Sequence, residues 1–188
     1  MFGNNLFDEC VAIIKAWKLK QQYPDEKYYK KELLNLLQEK LNEQTSSMFS
    51  QKQHFNIRDE SGRSLCDIGI NRKVGIELKK GKNGKIPKTE INRLQGQIED
   101  YELDYPEGVI VVLVGECDKF TESEIRTRLQ RKLDKENNIG IGIGQQFRIK
   151  LINKSHSSKG DGNLYKKKSP LSFDIDIPDY SKGLDLGI

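Results

Sequence analysis

Apolar residues in the first part of the chain recur at helical spacing. Leu6, Cys10, Ile13, Ile14 and Trp17 form one series, which predicts an amphipathic helix over 5–20 with Asn4 or Asn5 as its cap. Tyr23-Pro24-Asp25 breaks that helix, and Asp25 suits the cap of the next one. The second helix is expected over 26–43, with Tyr29, Leu33, Leu36, Leu37 and Leu41 on one side and Glu32, Glu39 and Glu43 along its flank. After the polar Gln44-Thr45-Ser46-Ser47 the apolar period shortens to two. Stretches 52–58, 64–70 and 73–80 alternate like strands, with turns at Glu60-Ser61-Gly62 and Asn71-Arg72, and predict a three-stranded antiparallel meander.

Gly81-Lys82-Asn83-Gly84 ends the third strand, and a helix follows over 88–104 with Ile91, Leu94, Ile98, Tyr101 and Tyr105 on one face. Pro106-Glu107-Gly108 stops it. Val109 to Val114 is unbroken aliphatic sequence, the mark of a strand buried on both faces. Thr121-Glu122-Ser123-Glu124 reads as a capping box opening a helix to about 135. A glycine-rich stretch, Asn137 to Gly144, precedes a strand over 147–152. From Asn153 onward Ser, Lys, Gly and Asp dominate, so 154–188 is expected to be a flexible loop and C-terminal extension. Leu171 to Ile177 alternates, but Pro178 restricts it to an edge strand or an extended arm. Helices interleaved with a mixed sheet imply the α/β class, here a three-layer α/β/α sandwich. A single domain over 1–153 is expected, its core about 26–115, with the helix at 5–20 packed on it.

Composition narrows this picture only slightly. The chain has 188 residues, enough for one domain with extensions, and 32% of them are charged. A net charge of +4 says little about partners, so the local clustering of Lys and Arg carries more weight. Cys10, Cys66 and Cys117 are far apart and form no CxxC pair, which argues against a zinc site or a disulfide framework and for reduced thiols in the cytoplasm. Cys66 and Cys117 are expected as small core residues within strands. No apolar run reaches membrane-spanning length, so no membrane association is expected.

The candidate chemistry lies in Asp67-Ile-Gly-Ile-Asn-Arg-Lys-Val-Gly-Ile-Glu77-Leu-Lys79. Strand alternation puts Glu77 and Lys79 on one face, and the turn brings Asp67 beside them. Two carboxylates and an ammonium on a rigid sheet suit metal-assisted phosphodiester hydrolysis, which needs hard oxygen ligands for Mg²⁺ and a cation near the attacking water. A Glu-x-Lys pair on a strand is also an ordinary solvated face, and alone it would mean little.

The spacing of Asp67 from Glu77-Leu78-Lys79, within this order of elements, resembles the PD-(D/E)xK nuclease superfamily and its restriction-endonuclease-like fold. The resemblance covers roughly 26–115, and Cys66 stands where the family name has Pro. It implies Asp67, Glu77 and the backbone carbonyl of Leu78 as ligands of Mg²⁺, with Mn²⁺ as a substitute. Lys79 would orient water or stabilise charge on phosphate. Gln97-Ile-Glu-Asp-Tyr101 resembles the Gln-x-x-x-Tyr motif of the exonuclease-like branch, implying Gln97 near Glu77 and Tyr101 on backbone phosphate. A Glu on the first core helix would approach the metal. Glu32, Glu39 and Glu43 are the candidates, Glu32 carried first, and the sequence does not choose among them.

Lys79, Lys80, Lys82, Lys85 and Lys88 crowd the connection out of the third strand, and Lys80, Lys82, Lys85 and Lys88 are expected to bind nucleic acid phosphates. The leading expectation is therefore a Mg²⁺-dependent nuclease acting on nucleic acid, DNA ahead of RNA. The alternatives are an inactive nucleic-acid-binding module and a partner-dependent subunit of a larger complex. The stripe that includes Trp17 suits a homodimer as well as packing on the chain's own sheet.

Overall fold

A computed structural model describes residues 5–43, 55–60, 65–137 and 147–155, with the side chains of 43 and 132–137 left aside. The expected strand at 171–177 and the extension from 156 onward lie outside the described residues. Among the described residues nine elements follow in order: α1 (Leu6–Ala16), α2 (Glu26–Glu43), β1 (Ile57–Asp59), β2 (Ile68–Ile70), β3 (Val74–Gly81), α3 (Lys88–Asp104), β4 (Gly108–Gly115), α4 (Lys119–Asn137) and β5 (Ile149–Asn153). The strands form one mixed sheet in the order β1-β2-β3-β4-β5. β1, β2 and β3 form the expected antiparallel meander, although β1 covers only the end of the expected 52–58, of which 52–54 lie outside the described residues, and β4 and β5 add in parallel.

Local chemistry accounts for most boundaries. Asn5 caps α1 through its side chain, which accepts the Phe7 N–H at 3.0 Å. α1 ends at Ala16, four residues earlier than expected, because Trp17 turns into an extended conformation (φ −57°, ψ 125°). Asn71 and Arg72 both take positive φ (53° and 52°), as a tight hairpin turn requires. The β2–β3 turn is closed by the Lys73 N–H donating to Ile70 O at 2.9 Å. α4 starts two residues before the expected capping box. Its cap is Asp118, whose Oδ1 accepts the Thr121 N–H at 2.7 Å. Cys66 and Cys117 are buried free thiols as expected, but they flank strands rather than lie within them.

Two apolar clusters sit on the sheet. One joins Cys10, Ile13 and Ile14 of α1 and Tyr29, Leu33 and Leu37 of α2 to Ile76, Leu78, Ile110 and Val112. The other joins Ile91, Leu94, Ile98 and Tyr101 of α3 and Ile125 and Leu129 of α4 to Val109, Val111 and Leu113. The alternation of β4 between the clusters explains why all eight of its residues are buried. At the carboxyl ends of β3 and β4 the chains come very close. A Cβ on Gly115, at φ +73°, would stand 2.6 Å from the Gly81 carbonyl oxygen. Among the described residues no helix is long and apolar enough to cross a membrane.

Candidate active site

β3 carries the central pair. Glu77 and Lys79 are in register with Val111 and Leu113 of β4, so they emerge on the face that those residues share with α3 and α4. The pair is buried, with Glu77 only 4% and Lys79 9% exposed. Ionic groups are rarely buried without partners, and here both have them. The Lys79 ammonium donates to Glu77 Oε1 at 2.6 Å, and the Tyr101 hydroxyl donates to Glu77 Oε2 at 3.0 Å. Burial pushes the Glu77 carboxyl up from its ordinary value, Lys79 opposes that, and Asp67 adds to it. Burial pulls Lys79 down, but the Glu77, Glu26 and Asp67 carboxylates outweigh it and hold the ammonium above its usual range.

Asp67 directly precedes β2. The ladder pairs Ile68 with Ile76, so the next step places Asp67 opposite Glu77 on the same face. Its Oδ2 accepts the Leu78 N–H at 2.8 Å. β2 diverges at this point, and the freed edge of β3 is taken over by carboxylates. The next outward N–H, that of Lys80, donates to Glu26 Oε2 at 2.6 Å. A strand residue presents its N–H and C=O to the same side, so the Leu78 carbonyl points toward this carboxylate-lined edge as well.

Glu26 is a further carboxyl at this edge that sequence reasoning missed. It opens α2 at the carboxyl end of β3. Burial, then the nearby Asp67, push its carboxyl up to about 7. Glu32 does not reach the site. Its Oε1 accepts the Trp17 Nε1–H at 2.9 Å and its Oε2 accepts the Tyr23 hydroxyl at 2.7 Å, so it fastens α1 and the α1–α2 connection to α2. Six residues rotate a helix by about 240°, so Glu26 and Glu32 cannot serve the same face. Glu39 is exposed beside Lys40 at 3.1 Å, and the Glu43 side chain lies outside the description. An acidic first residue of a helix is too common to have singled out Glu26 in the sequence. Only the approach of α2 to the end of β3 does so.

The Gln-x-x-x-Tyr pair divides in two. Tyr101 is fully buried, so the expected contact with backbone phosphate is replaced by the bond to Glu77. Gln97 is half-buried, and its Oε1 is shut off from solvent without a hydrogen-bond partner among the described residues. α3 connects the parallel strands β3 and β4 and so runs opposite to them. Four helical residues rise about 6 Å and two strand residues about 6.6 Å. With Tyr101 at the level of Glu77, Gln97 stands at the level of Lys79.

The lysines also divide. Lys80 Nζ donates to Pro24 O at 2.7 Å and so pins the entry to α2 instead of extending outward. Lys82 and Lys85 are exposed on a small turn closed by mutual backbone bonds of 2.9 and 3.1 Å, and Lys88 is exposed at the start of α3. On α4, Arg126 pairs with Glu122, and Arg128 pairs with Glu124 and Asn92. A cavity of about 550 Å³ lies elsewhere, between α1 and α2, and Asp67, Glu77 and Lys79 are not among its lining residues.

Among the described residues no group of three or more His, Cys, Asp or Glu side chains forms a ready metal-ligating cluster. Mg²⁺ does not need one, because it keeps several waters and takes one or two carboxylates plus substrate oxygens. The donor set at the end of β3 is of that hard-oxygen kind. Among the described residues, the Asp67, Glu77 and Glu26 carboxyls surround one ammonium, that of Lys79. No protein-family description, curated protein or solved structure matches this chain.

Proposed function

We propose that this chain is a metal-dependent nuclease that hydrolyses phosphodiester bonds in nucleic acid, DNA ahead of RNA. The supporting observation is the meeting of Asp67, Glu77 and Lys79 on one face at the point where β2 leaves β3, with Glu26 arriving from α2. We read the two apolar clusters as the halves of a three-layer α/β/α sandwich of the restriction-endonuclease-like type, which agrees with the order of elements and with the resemblance of the motif.

Asp67, Glu77 and the Leu78 carbonyl would hold Mg²⁺ or Mn²⁺, with Glu26 beside them. The bound ion supplies Lewis acidity and a water of lowered pKa. Lys79 stays charged at neutral pH, since the surrounding carboxylates raise its pKa. When phosphate enters, the ammonium can leave Glu77 for a phosphate oxygen and offset the charge that builds there. Tyr101 keeps Glu77 oriented through its second oxygen. Gln97 Oε1 is an acceptor with no donor among the described residues, suited to a buried water at the level of Lys79.

A second reading, an inactive nucleic-acid-binding module, is favoured by one observation: both Glu77 oxygens are already engaged by Lys79 and Tyr101. Incubation of plasmid, linear duplex, single strand, four-way junction and RNA with Mg²⁺, Mn²⁺ or EDTA separates the two. The nuclease reading requires cleavage of at least one substrate with metal, lost in Glu77→Ala. Binding without cleavage under every metal condition would leave the binding module.

A further inference from the structure

The carboxyl end of the sheet also holds an aromatic side chain that the fold does not use. Phe120, in the first turn of α4, is 77% exposed. α4 buries Thr121, Ile125 and Leu129, a stripe at four-residue intervals that excludes it. A lone exposed apolar residue needs no explanation. What distinguishes Phe120 is its surroundings. Two residues before it, the Asp118 N–H donates to Gly84 O at 2.7 Å, and Gly84 lies within the turn that displays Lys82 and Lys85. That turn is further fixed by the Glu116 N–H on Gly81 O at 3.1 Å, and Gly81 is two residues beyond Lys79. An exposed ring and exposed lysines are thus carried by two connections, β3–α3 and β4–α4, that are hydrogen-bonded to each other beside the candidate site. Among the described residues, Lys82, Lys85 and Lys88 have no carboxylate partner.

A π-face next to cations that follow a phosphate backbone is how proteins hold unpaired nucleotides. Within a regular duplex the bases are already stacked and offer no free face. We propose that Phe120 is a stacking platform for an unpaired base whose flanking phosphates lie on Lys82, Lys85 and Lys88. The site then takes single-stranded or single-strand-tailed nucleic acid ahead of continuous duplex. The inference rests on the nucleic-acid part of the reading above, not on cleavage.

Fluorescence anisotropy of a fluorescein-labelled single strand and the matching duplex, both in EDTA, tests it without any chemistry. Wild type is expected to bind the single strand more tightly. Phe120→Ala is expected to weaken single-strand binding by roughly 5- to 150-fold, the range of one lost base–aromatic stack, with duplex binding held within about twofold. Phe120→Trp is expected to restore binding, and its indole emission to be quenched by the single strand. Lys82→Ala is expected to weaken both forms and reduce the salt slope by about one. Single-strand binding unchanged in Phe120→Ala, equal losses on both forms, or no binding by wild type would each overturn the proposal. Phe120-dependent binding with no cleavage under any metal condition would sink the nuclease reading alone. Metal-dependent cleavage by wild type, together with single-strand binding indifferent to Phe120→Ala, would sink this one alone.

Discussion

Replacing Glu26 by Gln should change how stability depends on pH. The carboxyl is pushed up to about 7 by burial and by Asp67, against an ordinary value of 4.5. The folded chain therefore holds the proton more tightly than the unfolded chain. Its stabilising contribution is complete below the unfolded value and is lost as pH rises through the folded one. For one carboxyl moving from 4.5 to about 7, linkage gives a loss of roughly 2–3 kcal/mol between pH 5 and pH 8. Gln keeps an acceptor for the Lys80 N–H that Glu26 now binds at 2.6 Å, but it has no proton to lose. Urea denaturation in EDTA at the two pH values, on wild type and Glu26→Gln, isolates the effect as a double difference. Shifts from Glu77 and its neighbours occur in both proteins and largely cancel. Wild type should lose roughly 2–3 kcal/mol more than the variant over this range. Parallel stability profiles would refute the placement of Glu26 in a carboxylate-rich pocket.

Three further outcomes are expected. Tyr101→Phe removes the donor from Glu77 Oε2 and should lower stability by roughly 1–3 kcal/mol, read as a lower melting temperature with unchanged circular dichroism at room temperature. Glu32→Ala strands the Trp17 and Tyr23 donors and should destabilise by a similar amount, roughly 1–3 kcal/mol, yet leave the cleavage rate per folded molecule unaltered, whereas Glu26→Ala should lower that rate at least about tenfold. Gly115→Ala forces a Cβ to 2.6 Å from the Gly81 carbonyl oxygen at φ +73° and should cost at least about 2 kcal/mol, seen as a lower urea midpoint at constant m.

The parts of the fold governed by local periodicity were legible in the sequence. The stripe from Ile91 to Tyr105 places α3 over Lys88–Asp104, and the aliphatic run of β4 marks a strand buried on both faces. Alternation likewise assigns Glu77 and Lys79 to one face and Ile76 and Leu78 to the other. What depends on the relation between elements was not legible. Three acidic residues along the flank of α2 look equivalent in sequence. The end of β3 meets Glu26, ahead of all three, because α2 begins there. Tyr101 looked free to meet phosphate, but it lies under the sheet face that carries Glu77, where burial and a hydrogen bond leave it no access to solvent. Lys80, on β3, turns its ammonium back to Pro24, while Lys82, in the turn beyond the strand, is exposed. The cap of α4 was misjudged because Asp118 and Thr121 both have the chemistry to cap, and only the backbone direction after β4 distinguishes them.

The most direct measurement is cleavage by wild type and Lys79→Ala, side by side, on plasmid, linear duplex, single strand, junction and RNA with Mg²⁺. Among the described residues Lys79 is the one cation buried among Asp67, Glu77 and Glu26, and its removal keeps the carboxyls proposed to hold the metal while taking away the ammonium proposed to meet phosphate. Wild type should cut at least one substrate in a Mg²⁺-dependent manner. Lys79→Ala should fold, retain nucleic-acid binding and lose cleavage by about a hundredfold or more, as expected when a charge-stabilising group is removed. Equal Mg²⁺-dependent cleavage by both proteins would contradict the assignment of chemistry to this site.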